Sequence, residues 1–181
     1  MSMVKTTRRV LGEFRSAENG SMAVEFALVG PVLIFFVMLT INFGMAYNAK
    51  LHLVTAAAAG AAYAERNGTS LTPESFPAFA KSLTATAQST YKSGQAPPAV
   101  DVLINNSSGS SAADDYYCIS GSPASLNKAQ PNSAFADCGN DTRPGKFVTL
   151  KLSTDFDFPL PTTGIVGSVV SLQETLTVRV Q

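Results

Sequence analysis

The sequence is short of charge. Its 181 residues include 13 Lys+Arg and 13 Asp+Glu, so charged side chains make up 14%, against about 25% in an ordinary soluble domain. There is no Trp, one His and only two Cys. So few bases exclude a nucleic-acid binder that works through a broad basic surface, which needs clustered Lys and Arg. A single histidine, His52, leaves Ser/His and Cys/His nucleophiles with little to draw on. No phosphate-cradling Gly loop occurs, which excludes a motor ATPase. Two cysteines and one distant histidine do not make a four-ligand zinc site. The chain therefore reads as a non-enzyme, with no cofactor, metal or small-molecule substrate expected.

What charge there is sits unevenly. Residues 1–20 hold Lys5, Arg8, Arg9 and Arg15 against Glu13 and Glu18, a net of +2. From Phe26 through Ala49 there is no charged side chain at all. Lys50 to Gln181 carries nine bases and ten acids, a net of −1, and the one remaining charge is Glu25. A formal charge of zero thus hides a basic head, a neutral run and a near-neutral body.

The neutral run is rich in Leu, Ile, Val and Phe and exceeds the roughly 20 residues needed to cross a bilayer core as a helix. Gly30 and Asn42 are easily carried by so many inserting side chains. Pro31 lies near the start of the run, where a lost backbone bond is expected to kink the helix without ending it. The positive-inside rule keeps the basic head in the cytoplasm and exports the C-terminal part across the inner membrane. An ordinary signal peptide is disfavoured, because its apolar core spans only about 7–15 residues. The small-residue stretch 56–62, the nearest thing to a signal-peptidase site, lies too far downstream.

Glu25 stands at the cytoplasmic lip of this run, where a carboxylate is costly unless it finds a partner. Five residues earlier is Gly20-Ser21. A cut between them would give Ser21 a new α-amino group and make Glu25 the fifth residue of the mature chain. Such a carboxylate can pair with its own or a neighbour's amine and set the axial register of packed helices. The basic leader, Gly20, and then Ser21-Met-Ala-Val-Glu25-Phe26 resemble the cleavage region of type IV prepilins. The fuller string from Gly20 through Pro31 to Leu33 is similar to the TadE/TadF pseudopilins of the tight-adherence (Flp) pilus system. Ile41-Asn-Phe-Gly-Met-Ala-Tyr47 and the Ala-rich stretch to Ala64 continue the likeness, which covers about residues 15–66. The resemblance implies cleavage after Gly20 by a prepilin peptidase, and a role for Glu25 and Phe26 in processing and assembly. Its implied partners are the inner membrane, the peptidase, other pilins or pseudopilins and the Tad assembly platform. Two positions depart from the family pattern: Gly30 stands where Leu is common, and Asn42 where Glu is more typical.

Past Tyr47 the pattern stays helical. Leu51, Val54, Ala58 and Ala61 or Ala62 recur at three- and four-residue spacing. The Ala stretch suits either close helix–helix packing in a filament or a cover over the body. A helix from about Met22 to Arg66 would be some 65 Å long at about 1.5 Å per residue, with Asn67-Gly68 as its cap. Thr72-Pro73-Glu74 reads as the start of a second helix, carrying Phe76, Phe79, Ala80, Leu83, Ala87 and Tyr91 on one face and closed by Ser93-Gly94. Strands are expected at Val100–Ile104, at Val148–Phe158, ended by Pro159 and Pro161, and at Leu172–Val180. The expected fold is α+β: a long N-terminal transmembrane and packing helix, then a small exported domain with a second helix and an antiparallel sheet. Three segments result: a cleaved leader (1–20), a membrane-spanning and assembly helix (21–66) and a periplasmic domain (67–181).

Cys118 and Cys138 both fall in the exported part. In an oxidising compartment they are expected to form a disulfide, worth about 3 kcal/mol in the chain-entropy account. Residues 105–115 and 119–137 read as polar loops. Asp114-Asp115 could form a carboxylate pair but reads as a solvated turn, and Asp137, Asn140 and Asp141 match no calcium-loop spacing. Two functions fit: a minor pilin or pseudopilin, or an uncleaved signal-anchor protein whose exported domain binds a ligand. The exported part is too long for a major Flp subunit, which resembles little more than the bare helix.

Overall fold

The computed structural model describes residues 19–92, 94, 96–120, 125–139, 142–160 and 169–181, with side chains from Met22 onward. Residues 1–18 of the leader, Ser93, the calcium-ligand candidates Asn140 and Asp141, and Pro161 lie outside the described residues. The chain divides into two compact units, Met1–Phe43 and Gly44–Gln181.

Helix α1 (Asn19–Asn67) contributes to both. In the first unit its apolar side chains face outward: Phe26 is 78% exposed, and Leu28, Ile34 and Phe36 are likewise exposed. A helix apolar all round satisfies every backbone group internally, which is what a bilayer demands of a spanning segment. Met22–Asn67 is long and apolar enough to cross a membrane. Pro31 lies inside α1, which continues through it as helix.

In the second unit, α1 turns a different surface toward the body. Ala49, Leu53, Ala56, Ala57, Ala61 and Ala64 are buried, at the three- and four-residue spacing of one helix face. This corrects the expected face. Leu51 and Val54 are 47% and 41% exposed, and Ala58 is exposed too. Size decides the phase, because the inward stripe must lie close to other backbones. A Cβ on Gly60 would meet Leu150 Cδ2 at 2.5 Å, so the helix packs where its side chains are smallest. The cap at Asn67-Gly68 has a similar origin. The Gly68 N–H donates to the Ala64 carbonyl at 2.8 Å, and a Cβ there would meet Val180 Cβ at 2.6 Å.

Helix α2 (Phe76–Thr90) begins later than Thr72-Pro73-Glu74 suggests, with Ser75 at its N-cap and a proline at its first turn. Thr72 and Ser75 exchange hydrogen bonds instead. The Thr72 N–H donates to Ser75 Oγ at 3.0 Å, and the Ser75 N–H to Thr72 Oγ1 at 3.3 Å. That pair closes a turn before the helix proper starts. The expected face is buried: Phe76, Phe79, Leu83 and Ala87, with Tyr91 after them. The helix ends at Thr90, short of Ser93-Gly94.

The main sheet is antiparallel, in the order β1 (Ala99–Ile104), β4 (Phe147–Asp157), β5 (Val169–Arg179). Its register places Val102 beside Leu150 and Leu150 beside Leu176. The face bearing Val148, Leu150 and Leu152 joins Leu53, Ala57, Leu83 and Ile104 in one core cluster. The fold is α+β, as expected. The segments read as polar loops hold more structure: a 3-10 turn (Ser110–Asp114) and a hairpin of β2 (Tyr117–Ser120) with β3 (Ser125–Lys128). Strands of four residues are too short to establish a period-two alternation, so periodicity cannot reveal them.

Candidate functional site

The cleavage and assembly residues lie at the start of α1. Gly20 and Ser21 have helical backbone. Glu25 is exposed among Met22, Val24 and Phe26, which are also exposed. No described residue forms an ion pair with it. The Phe26 ring lies back toward Gly30, where an added Cβ would meet Phe26 Cε1 at 3.7 Å. A carboxylate and an aromatic ring, consecutive in sequence, are thus both exposed on an otherwise apolar stretch of helix. Such a surface can offer an opposite charge one partner site and an apolar neighbour another.

The other predicted residues are placed in the body. Cys118 of β2 is bonded to Cys138, with their Cα atoms 5.5 Å apart. The bridge ties the small hairpin to the segment before β4. His52 is half-buried on α1. Asp114 is exposed, whereas Asp115 is a structural anchor. Asp115 Oδ1 lies 2.8 Å from Lys128 Nζ and accepts from Asn132 Nδ2 at 2.8 Å. Its hydrogen bond raises the Lys128 pKa above 10.5, against a smaller opposing effect of desolvation. The two neighbouring aspartates therefore do not act as a pair. Asp137 accepts the Gly139 N–H at 2.8 Å. Among the described residues no three His, Cys, Asp or Glu side chains gather as metal ligands.

Three residues that hold the body together escaped the sequence reading. Asn105 is 3% exposed and has a positive φ of 51°. Its N–H donates to the Phe147 carbonyl at 2.7 Å, and its Oδ1 accepts the Phe147 N–H at 2.9 Å. Its Nδ2 donates to the Ala112 and Asp115 carbonyls at 2.7 and 2.9 Å. One amide thereby welds the end of β1 to β4 and to the 3-10 turn, leaving no buried polar atom of its own unmet. The adjacent asparagines 105 and 106 were a turn signal, since Asn tolerates the left-handed region. Lys146 is buried, donating to the Leu71 carbonyl at 3.2 Å with its ammonium 5.3 Å from the Tyr116 ring centroid. Lys50 pairs with Glu174 at 2.6 Å and also donates to the Gln173 carbonyl. It thus joins α1 to β5 and occupies an acceptor on that strand.

Residues 20–62 match the model of a family described as TadE-like protein. No curated protein and no solved structure matches the chain. The matched stretch begins at Gly20 and ends at Ala62, so it contains Glu25, Pro31, the apolar run and most of the alanine face. Over residues 20–62 the long N-terminal helix is thus similar to TadE-like proteins, and residues 63–181 lie outside the match.

Proposed function

We propose that the chain is a minor pilin or pseudopilin of a Tad (Flp) pilus, acting in pilus assembly, initiation or adherence. In this reading a prepilin peptidase cuts between Gly20 and Ser21, removing the basic leader 1–20. Residues 21–66 are then the membrane-spanning and assembly helix, and residues 67–181 the exported domain. The N-terminus faces the cytoplasm and the body faces the periplasm, or the cell surface once assembled. The observation that carries the proposal is the start of the family match at Gly20, the residue before the cut. The exposed Glu25, fifth in the mature chain and without a described partner, supports it. A free Ser21 amine and this carboxylate supply the two charges that a neighbouring subunit would match in the apolar layer, where an unpaired charge is costly.

Intact-mass measurement on protein extracted from membranes of a strain carrying the peptidase tests the cut. Loss of residues 1–20 is expected, and an intact N-terminus would overturn the proposal. Glu25→Ala is expected to insert into the membrane normally yet leave piliation lost. Normal piliation in that variant would remove the role given to the carboxylate.

A further inference from the structure

The body is held together in two different ways. Its core cluster draws on α1, α2, the main sheet and the 3-10 turn, and no described residue from Asp114 to Phe147 belongs to it. The β2–β3 hairpin makes its extensive contacts within itself. Ile119 and Phe135, 49% and 91% exposed, have not been drawn inward either. A two-stranded hairpin of such short strands is at best marginal by itself. Something other than apolar burial must keep this part of the chain in place.

The polar ties sit at one end of it. Tyr117 exchanges backbone hydrogen bonds with Gly145 at 2.8 and 2.9 Å, and Asn132 Oδ1 accepts the Tyr116 N–H at 2.8 Å. Beyond Asn132 the ties become local. Among the described residues, every hydrogen bond of Ser133–Gly139 runs to a residue no more than four positions away. The long-range bond of that stretch is the disulfide from Cys138 to Cys118 of β2, which spans a separation of 20 residues. Both cysteines are half-buried, and their neighbours Ile119, Asp137 and Gly139 are exposed, so the bond lies within reach of a small thiol.

We propose that Cys118–Cys138 is a redox latch. Closed, it holds the β2–β3 hairpin and Ser133–Gly139 in one ordered patch; opened by a dithiol, it releases that patch and leaves the helix–sheet core folded. The exchange balances within the two reactants. A thiolate of the dithiol attacks one sulfur, and its second thiol resolves the mixed disulfide. The dithiol closes into a cyclic disulfide, and its two electrons and two protons leave Cys118 and Cys138 as thiols. Release follows because the bridge restricts the open chain, and without it the patch must order against its full conformational entropy. The core has no such dependence, since its cluster includes neither cysteine.

Limited trypsin digestion of the full chain in detergent micelles, with and without dithiothreitol and read by mass spectrometry, tests the latch. Lys128 of β3, Lys81 of α2 and Lys151 of β4 are all exposed. The protease therefore distinguishes them by how readily the backbone around each one opens. Slow cleavage at all three is expected in the oxidised chain. Reduction should speed cleavage after Lys128 at least about tenfold and leave Lys81 and Lys151 as they were. Cys118→Ser combined with Cys138→Ser should give the reduced pattern without dithiothreitol and should not respond to it. Cleavage after Lys128 at the same rate in both states would overturn the proposal. So would acceleration at all three lysines together, which would make the bridge a support of the whole body. Cleavage at Gly20 enters none of these outcomes, so the mass measurement there can succeed or fail independently.

Discussion

The two halves of α1 use one backbone for opposite purposes. In the first unit, large apolar side chains such as Phe26, Leu33 and Phe36 face outward and are exposed. In the second, the buried surface is mostly alanine with Leu53 at 0% exposure, and the larger Leu51 and Val54 are left outside. Apolar bulk is placed where a membrane would solvate it, and apolar smallness where another backbone must come near. Amphipathicity in the ordinary sense separates polar from apolar. Here the separation in the second half is chiefly by volume.

This contrast can be broken at matched positions. The largest effect is expected at Leu53→Ala, which opens a cavity in a sealed core and should cost about 2–5 kcal/mol. Leu33→Ala, at a position facing outward, should leave the stability of the body unchanged. Urea unfolding of the full chain in micelles, followed by tyrosine fluorescence, compares the two. Equal effects would mean that the halves do not differ as argued. Next comes Gly60→Val, whose added atoms would collide with Leu150 and should cost about 1–3 kcal/mol by overpacking. Gly44 has nothing within 4 Å of an added Cβ, so Gly44→Ala should be neutral or slightly stabilising, through helix propensity. A smaller effect is expected at Lys50→Met. Its pair with Glu174 is about one-third exposed, so the loss should be about 1 kcal/mol or less and should shrink in high salt.

The smallest difference is a pH effect away from α1. The Asp115 hydrogen bond raises the Lys128 pKa above 10.5. A group whose pKa is raised on folding contributes its stabilisation fully below the unfolded value and loses it as pH climbs through the folded one. Lys128→Met should therefore lower the melting temperature slightly at neutral pH and differ less from the parent as pH climbs through the raised Lys128 titration. A difference that grows with alkalinity would contradict the assignment.

The legibility of these features follows from their physics. The apolar run was readable because crossing a bilayer requires about 20 residues without charge, and few other structures need that. The face of α2 was readable because Phe76, Phe79, Leu83 and Ala87 differ in hydrophobicity from their neighbours. The β2–β3 hairpin was not, since Tyr117–Ser120 and Ser125–Lys128 are too short to establish an alternation. The start of α2 was misjudged by three residues because Thr72 and Ser75 satisfy each other before any helical donor does. In the candidate site, Gly20, Ser21 and Glu25 were legible as a linear motif. The exposure of Phe135 was not, because it is a property of what fails to pack against a residue.

By itself, then, the sequence determined the uncharged run, the acid at its edge, the pair of cysteines and the α+β order of elements. These are properties of neighbours along the chain: length without charge, spacing and alternation. Only the tertiary structure decided which face of the alanine tract turns inward, that Asn105 joins three elements, and that Phe135 is held out in water. Each of these depends on how closely distant backbones approach, a distance that one-dimensional periodicity does not contain.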